Sequence, residues 1–227
     1  MTSQRYELER TAPTSLQLIW RKLYWPSRRM ISGVSSAIRN SRNVRRVNAG
    51  TTTIKLELAS SRREGRADWM FSDWGGGGDF NFDLTKPFPL RDETVSAIYM
   101  SHALEHFSYP SPMLKLLSEC KRLLQKGGTL RISVPNARLF VNAYLNPSNF
   151  PKEKFCGWEV GLRFDAPIDY LNFVAYLGNE HKHLFDEEGL AAILRECGFS
   201  NVRIDEFDSD VDLASRDHES LYAVATK

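Results

Sequence analysis

The sequence predicts an α/β protein: a mostly parallel sheet with helices packed on both faces. Three observations predict it. From Thr52 onward, short apolar runs alternate with stretches of helical periodicity. The run Val95–Ser101, VSAIYMS, is apolar on both faces, as a strand inside a parallel sheet has to be. Finally, two helices carry recognisable ends, one over Pro112–Gln125 and one over Leu190–Cys197.

In chain order, the first expected strand is Ile54–Leu58 and the second Asp68–Asp73. The glycine run Gly75–Gly78 reads as a flexible loop, and Phe80–Leu84 as a weaker third strand. Val95–Ser101 is the fourth. The helix that follows has Ser111 at its N-cap, Pro112 in its first turn and Gly127 past its end. Thr129–Val134 is the fifth strand, stopped by Pro135. Asp186 caps the late helix and Gly198 closes it, after which Val202–Phe207 and Leu221–Ala225 complete the set. In such sheets ligands bind beyond the carboxyl ends of the strands, where strand order reverses.

Composition narrows the class further. Thirteen Phe, eight Tyr and five Trp in 227 residues supply ample core material, which excludes disorder over most of the length. The longest charge-free stretch, Leu139 to Pro151, is shorter than the roughly 18–20 residues of a membrane span. Arg5, Glu7, Glu9 and Arg10 stand where a secretory signal would be apolar, and Cys120, Cys156 and Cys197 form no CxxC. A cytoplasmic location is expected.

Charge is unevenly spread. Residues 1–50 carry ten Lys/Arg against two acids, whereas the remainder carries twenty against twenty-six. Residues 1–51 therefore read as a basic helical arm and 52–227 as the body. Within the arm, 14–46 has an apolar stripe through Leu16, Leu18, Ile19, Leu23 and Tyr24. It suits packing on the parent domain more often than peripheral contact with an anionic membrane. The acidic body lacks basic-aromatic alternation, so no nucleic-acid partner is expected.

The order of motifs resembles a class I S-adenosylmethionine-dependent methyltransferase. The likeness rests on DLTKPFPLRDETVSAIYMSHALEHF (83–107), LLSECKRLLQKGGTLRISVPN (116–136) and HLFDEEGLAAILRECGF (183–199). It implies a Rossmann-like fold with a seven-stranded sheet and a C-terminal antiparallel pair. It also implies S-adenosylmethionine as cofactor, held near Glu57, Leu58, Ala59 and Ser60 after the first strand. Asp73 would meet the ribose hydroxyls, Asp83 and Leu84 the adenine, and Ser101 the end of strand four. The chain departs from the family pattern at Ala59 and Ser61, where glycines are expected; glycine there permits φ > 0 and close approach. Gly65 is an alternative pivot. Only Ala59–Ala67 separates the first two strands, fewer residues than the dozen a helical crossover takes, so the first helix is expected to be a turn or absent.

His102, Glu105 and His106 spell H-x-x-E-H, expected on adjoining turns of a helix. An inverted zinc-protease signature has this spelling, but its position directly after a buried parallel strand argues against that chemistry. The stretch is similar to the E-x-x-E-H of some ubiquinone-biosynthesis and small-RNA methyltransferases, which bind a divalent metal. Glu105 and His106 match that pattern and His102 replaces its first glutamate, with His181 or His183 as a further ligand. The other readings are a metal-free polar wall facing the cofactor, which takes precedence over the metal, and a structural network. Histidine has the pKa to take a proton near neutrality, so His106, His102 and His183 are the candidate bases or positioning groups. His218, in RDHES, reads as a solvated loop residue.

Residues 137–182 form a long insert rich in aromatic residues, including Phe150, Phe155, Trp158, Phe164, Tyr170, Phe173 and Tyr176. It reads equally as a lid over an acceptor pocket or as a satellite core or homodimer surface. The expected function is O-methylation of a small-molecule or glycan-related acceptor. The alternative is an inactive, methyltransferase-like binding or scaffolding protein with an eroded cofactor loop.

Overall fold

A computed structural model of the chain describes residues 35–51, 53–60, 68–74, 77–156 and 166–227. Among these residues six strands form one mixed sheet: β1 (Ile54–Leu58), β2 (Trp69–Phe71), β3 (Val95–Ser101), β4 (Leu124–Pro135), β5 (Ser200–Asp205) and β6 (Ser220–Thr226). Their order is β2-β1-β3-β4-β6-β5. Strands β2, β1, β3 and β4 run parallel, while β6 lies antiparallel between β4 and β5. Strand order reverses between β1 and β3, so their carboxyl ends flank the crevice where ligands of such sheets bind.

The helices are α1 (described over 35–49), α2 (Met113–Leu123), α3 (Ala137–Leu145), α4 (Lys152–Phe155), α5 (Pro167–Tyr176) and α6 (Glu187–Glu196). Leu56, Ile98, Met100, Leu130 and Ile132 of the strands share one core cluster with Leu116 and Leu117 of α2 and Leu190 and Leu194 of α6. Asp186 caps α6 as expected, its side chain accepting from Gly189 N. At α2 the cap differs: Pro112 takes the N-cap position without a side-chain bond, and Leu124 already belongs to β4.

The expected third strand is absent as a strand. Phe80 makes a single parallel bridge with Ser72, and the Phe80–Phe82 and Phe82–Phe88 rings stack at 4.7 and 5.2 Å. The alternating phenylalanines fill a hydrophobic plug beside a three-residue edge strand, too short to template a further ladder. Nor is all of the glycine run loose. A Cβ at Gly78 would stand 2.7 Å from Phe71 O and 2.8 Å from Phe80 O, so the turn needs glycine to close. Gly75 and Gly76 lie outside the described residues, as do residues 61–67 with Gly65.

Helix α1 is docked on the body by asparagines. Asn43 Nδ2 donates to Asp79 O, Asn48 Nδ2 to Pro89 O, and Asn40 Oδ1 accepts from Asn81 N. Val47 enters the main core. The arm before residue 35, with the apolar stripe, lies outside the described residues. Among the described residues, no helix is long and apolar enough to cross a membrane.

The 137–182 insert carries a second cluster of buried residues, Phe140, Ala143, Cys156, Tyr170, Phe173 and Val174, with Phe150 and Phe155 packed against it. Trp158 and Phe164 lie outside the described residues.

Candidate functional site

The site grows from the ends of β1 and β3. Immediately after β1, Ala59 takes φ 57°, in the left-handed region where a glycine is expected. The turn is held by Ser60 N donating to Ser72 O at 3.0 Å and Ser72 N donating to Glu57 O at 2.8 Å. Immediately after β3, His102 is also left-handed, at φ 46°, and its N–H donates to Ser133 O at 2.8 Å. The chain then enters a 3-10 turn, Leu104–His106, rather than the α-helix expected for H-x-x-E-H.

A cavity of about 290 Å³ opens between these two turns. Four expected residues line it: Ala59, Leu84, His102 and His106. Residues missed by sequence reasoning complete the wall, among them Ser72, Trp74, Phe82, Thr85 and Phe107. Adjacency to the motifs was the available signal, since Trp74 follows Asp73 and Thr85 follows Leu84.

Other expected residues do not line the cavity. Leu58 is buried in the main core and Glu57 is buried beside it. Asp73 Oδ2 accepts from Gly77 N at 3.1 Å. Asp83 Oδ1 accepts from the Thr85 amide and hydroxyl, and its other oxygen pairs with Lys86 at 3.0 Å. Those contacts hold its carboxyl below the usual carboxylate range. Ser101 Oγ accepts from Ser133 Oγ at 3.0 Å.

His102 is held on both sides. Arg216 Nη1 donates to its Nδ1 at 2.9 Å, and its Nε2 lies 2.7 Å from Ser220 Oγ. Burial, helped by the Arg216 charge, pushes the ring pKa down to about 3. Its imidazole is therefore neutral and both nitrogens are engaged.

Glu105 is 2% exposed, and neither carboxylate oxygen has a hydrogen-bond partner. Burial raises its pKa to about 8. The nitrogens His102 Nδ1 and His106 Nε2 each stand 3.8 Å from its Oε1. The backbone of the segment after α5 is clamped onto this turn, with Lys182 N and His183 N donating to Glu105 O at 2.8 and 3.2 Å. That clamp delivers His181, whose ring packs edge-on against His106 with centroids 5.1 Å apart. Glu105, His106 and His181 thus bring three ligand atoms within 4.8 Å of one another. His183 points elsewhere, between Tyr109 and Phe185. Burial lowers the pKa of both His181 and His183.

Unlike the solvated residue expected, His218 belongs to the margin of the site. Its Nε2 lies 3.1 Å from Lys154 O and its ring 5.5 Å from Phe155, so the 3-10 segment Ala214–Glu219 touches both His102 and the insert.

Residues 26–204 match the family model described as "Methyltransferase domain". No curated protein matches the chain. Among similar solved structures is a SAM-dependent methyltransferase from Archaeoglobus fulgidus. It is 17% identical over 86% of this chain and 94% of that one, with a TM-score of 0.47. Another is an S-adenosylmethionine-dependent methyltransferase from Mesorhizobium loti, 18% identical over 83% and 98%, with a TM-score of 0.45.

Proposed function

This chain belongs to the methyltransferase domain family, and from that premise we propose that it methylates an oxygen of a small-molecule or glycan-related acceptor. One observation carries the reading: the hollow beside the first turn is open, and Ala59 already adopts the left-handed backbone that the family's glycine provides.

The residues present fit an adenosine-bearing methyl donor. The Ala59 turn lets the ligand approach the backbone, and Trp74, Phe82 and Leu84 offer apolar walls for a purine. Asp73, between the lining residues Ser72 and Trp74, is the acceptor for ribose hydroxyls. Asp83 fixes the turn that carries Leu84 and Thr85, and Glu57, Leu58, Ser60 and Ser101 frame the two strand ends. When bound, S-adenosylmethionine supplies an electrophilic methyl group on a sulfonium. The protein's own contribution is alignment of the acceptor and removal of its hydroxyl proton.

We assign the activation of that hydroxyl to the Glu105–His106–His181 cluster, of which His106 reaches the cavity wall. His102 acts as a positioning residue, because neither ring nitrogen is available to a substrate. His183 braces the cluster from behind through its backbone bond to Glu105. The aromatic insert, which meets the site at Phe155 and His218, is the element that shapes the acceptor side.

Calorimetry with S-adenosylhomocysteine tests the reading. Saturable heat is expected with the native chain and its loss with Ala59→Val. No heat and no thermal shift at millimolar ligand would instead support a scaffolding protein with an eroded cofactor loop.

A further inference from the structure

We propose that Arg216 anchors an anionic acceptor, its guanidinium holding a carboxylate or phosphate group of the molecule to be methylated, between His102 and the aromatic insert. The inference rests on the acceptor reading given above and narrows its substrate class to acid-bearing molecules.

The bonding of the arginine supplies the first argument. Arg122, Arg131 and Arg138 each place guanidinium nitrogens on carboxylates at 2.9 Å or closer. Arg216 does not. Its short bond, 2.9 Å from Nη1, goes to the neutral imidazole of His102, and the Glu219 carboxylate meets that same nitrogen only at 3.5 Å. Among the described residues, Nε and Nη2 enter no hydrogen bond. Their N–H groups share one edge of the fork, the edge that takes a carboxylate or phosphate through two parallel bonds. The side chain is 42% exposed, so a dissolved anion can reach it. A guanidinium steadied by a neutral ring keeps its charge for another partner.

Placement supplies the second. Arg216 lies on the 3-10 segment Ala214–Glu219, and the ring it bonds lines the cavity. Two residues on, His218 meets the insert, through Lys154 O at 3.1 Å and the Phe155 ring at 5.5 Å. Lys154 Nζ stands 5.6 Å from the centre of that same ring. A second cation therefore belongs to this rim, and among the described residues it makes no ion pair.

The field of the arginine supplies the third. Its charge acts on His102, Glu105 and His181 alike, which sets it within electrostatic reach of the groups assigned to the acceptor hydroxyl. Glu105 does not answer that charge directly, since neither of its oxygens has a hydrogen-bond partner. An oxyanion fixed at Arg216 leaves the rest of the acceptor to extend toward His106 on the cavity wall. Attachment at two points is what alignment for in-line transfer requires. Complementary charge also draws such an acceptor to the rim from solution.

The test is nitrogen-15 NMR of the arginine-labelled full chain, saturated with S-adenosylhomocysteine. The Arg216 Nε–H signal is followed as glucuronate, inorganic phosphate or glucose is added. At least one of the two anions is expected to shift it saturably, glucose is not, and the anion that acts distinguishes carboxylate from phosphate recognition. Arg216→Lys keeps the charge but loses the fork, and calorimetry should find anion affinity weakened by at least about tenfold. Arg216→Met should abolish binding, whereas Arg138→Met should leave it intact. A signal unmoved by either anion, an equal response to glucose, or affinity indifferent to Arg216→Lys overturns the proposal. S-adenosylhomocysteine binding by the same samples reports that each variant is folded and keeps the two ideas apart. Nucleoside binding with a silent Arg216 defeats only the anion site, and anion capture without nucleoside binding defeats only the cofactor reading.

Discussion

Arg216 donates to Nδ1 of His102 at 2.9 Å, and the hydroxyl of Ser220, on the far side of the ring, donates in turn to Arg216 O at 2.7 Å. A guanidinium only donates, so Nδ1 must be bare and the proton must reside on Nε2. The ring, the hydroxyl and the guanidinium-bearing residue close a circuit that fixes one tautomer. Nitrogen-15 NMR should find His102 as the neutral Nε2–H form throughout neutral pH. Arg216→Met removes a charge that holds the pKa down, so titration should move up toward the ordinary 6.5. A native ring that titrates near that ordinary value would contradict the arrangement.

Ala59 stands at φ 57°. A left-handed conformation costs an L-residue about 1–2 kcal/mol, and glycine's greater unfolded-state entropy offsets about 0.5–1 kcal/mol of the relief. Ala59→Gly should therefore leave stability unchanged or raise it by up to about 1.5 kcal/mol while retaining S-adenosylhomocysteine binding. A β-branched side chain tolerates this region least, so Ala59→Val should lower stability by about 1–2 kcal/mol. Urea unfolding of the three proteins measures both effects.

Arg131 joins β4 to the segment after β5. Its Nε donates to Asp212 Oδ1 at 2.8 Å, its Nη1 to Asp205 Oδ2 at 2.7 Å, and its Nη2 to Asp212 Oδ2. Arg131→Met would strand the fully buried Asp212 carboxylate, and the expected loss is about 3–5 kcal/mol in denaturant unfolding.

The same ion pair carries a pH signature. Burial works to raise the pKa of Asp205, but the hydrogen bond and charge of Arg131 outweigh it and the value falls below the ordinary 3.8. A carboxyl lowered on folding contributes its full stabilisation above 3.8 and loses it as the pH drops through the lowered value. Comparing unfolding at neutral and acid pH should show this loss in the native chain and a smaller one in Arg131→Met.

Phe140 anchors the insert. It is 1% exposed, with Phe150, Phe155 and Phe173 at centroid distances of 5.8, 6.3 and 6.1 Å. Phe140→Ala should cost about 3–5 kcal/mol locally. Because Phe140 is not part of the main core cluster, faster proteolysis within 137–182 is expected with the sheet still protected. Limited proteolysis followed by mass spectrometry reads this directly.

What was legible in the sequence was what neighbours in the chain decide. Val95–Ser101, the apolar face of α2 and the Asp186 cap announce themselves through periodicity and capping chemistry, and the structure contains all three. Phe80 and Phe82 misled because alternation marks a strand only when a partner strand is available; here β2 ends at Phe71 and the rings stack on Phe88 instead. In the site, the positions of Ala59 and His102 followed from the strand ends, but the left-handed turn at His102 did not, and His181 was one of two equal choices. What selects it is the backbone clamp from Lys182 and His183 onto Glu105 O, a tertiary contact with no local signature. His218 escaped for the same reason, since its polar surroundings in sequence conceal its contact with Phe155.

The separateness of the two hydrophobic clusters has an evolutionary corollary. Phe140, Phe173 and their neighbours cohere among themselves, so mutations that remodel this outer lobe need not be matched by compensating changes around Leu56 or Ile98. A lineage built on this plan is free to diversify that lobe while inheriting the sheet and the cavity at its edge unaltered.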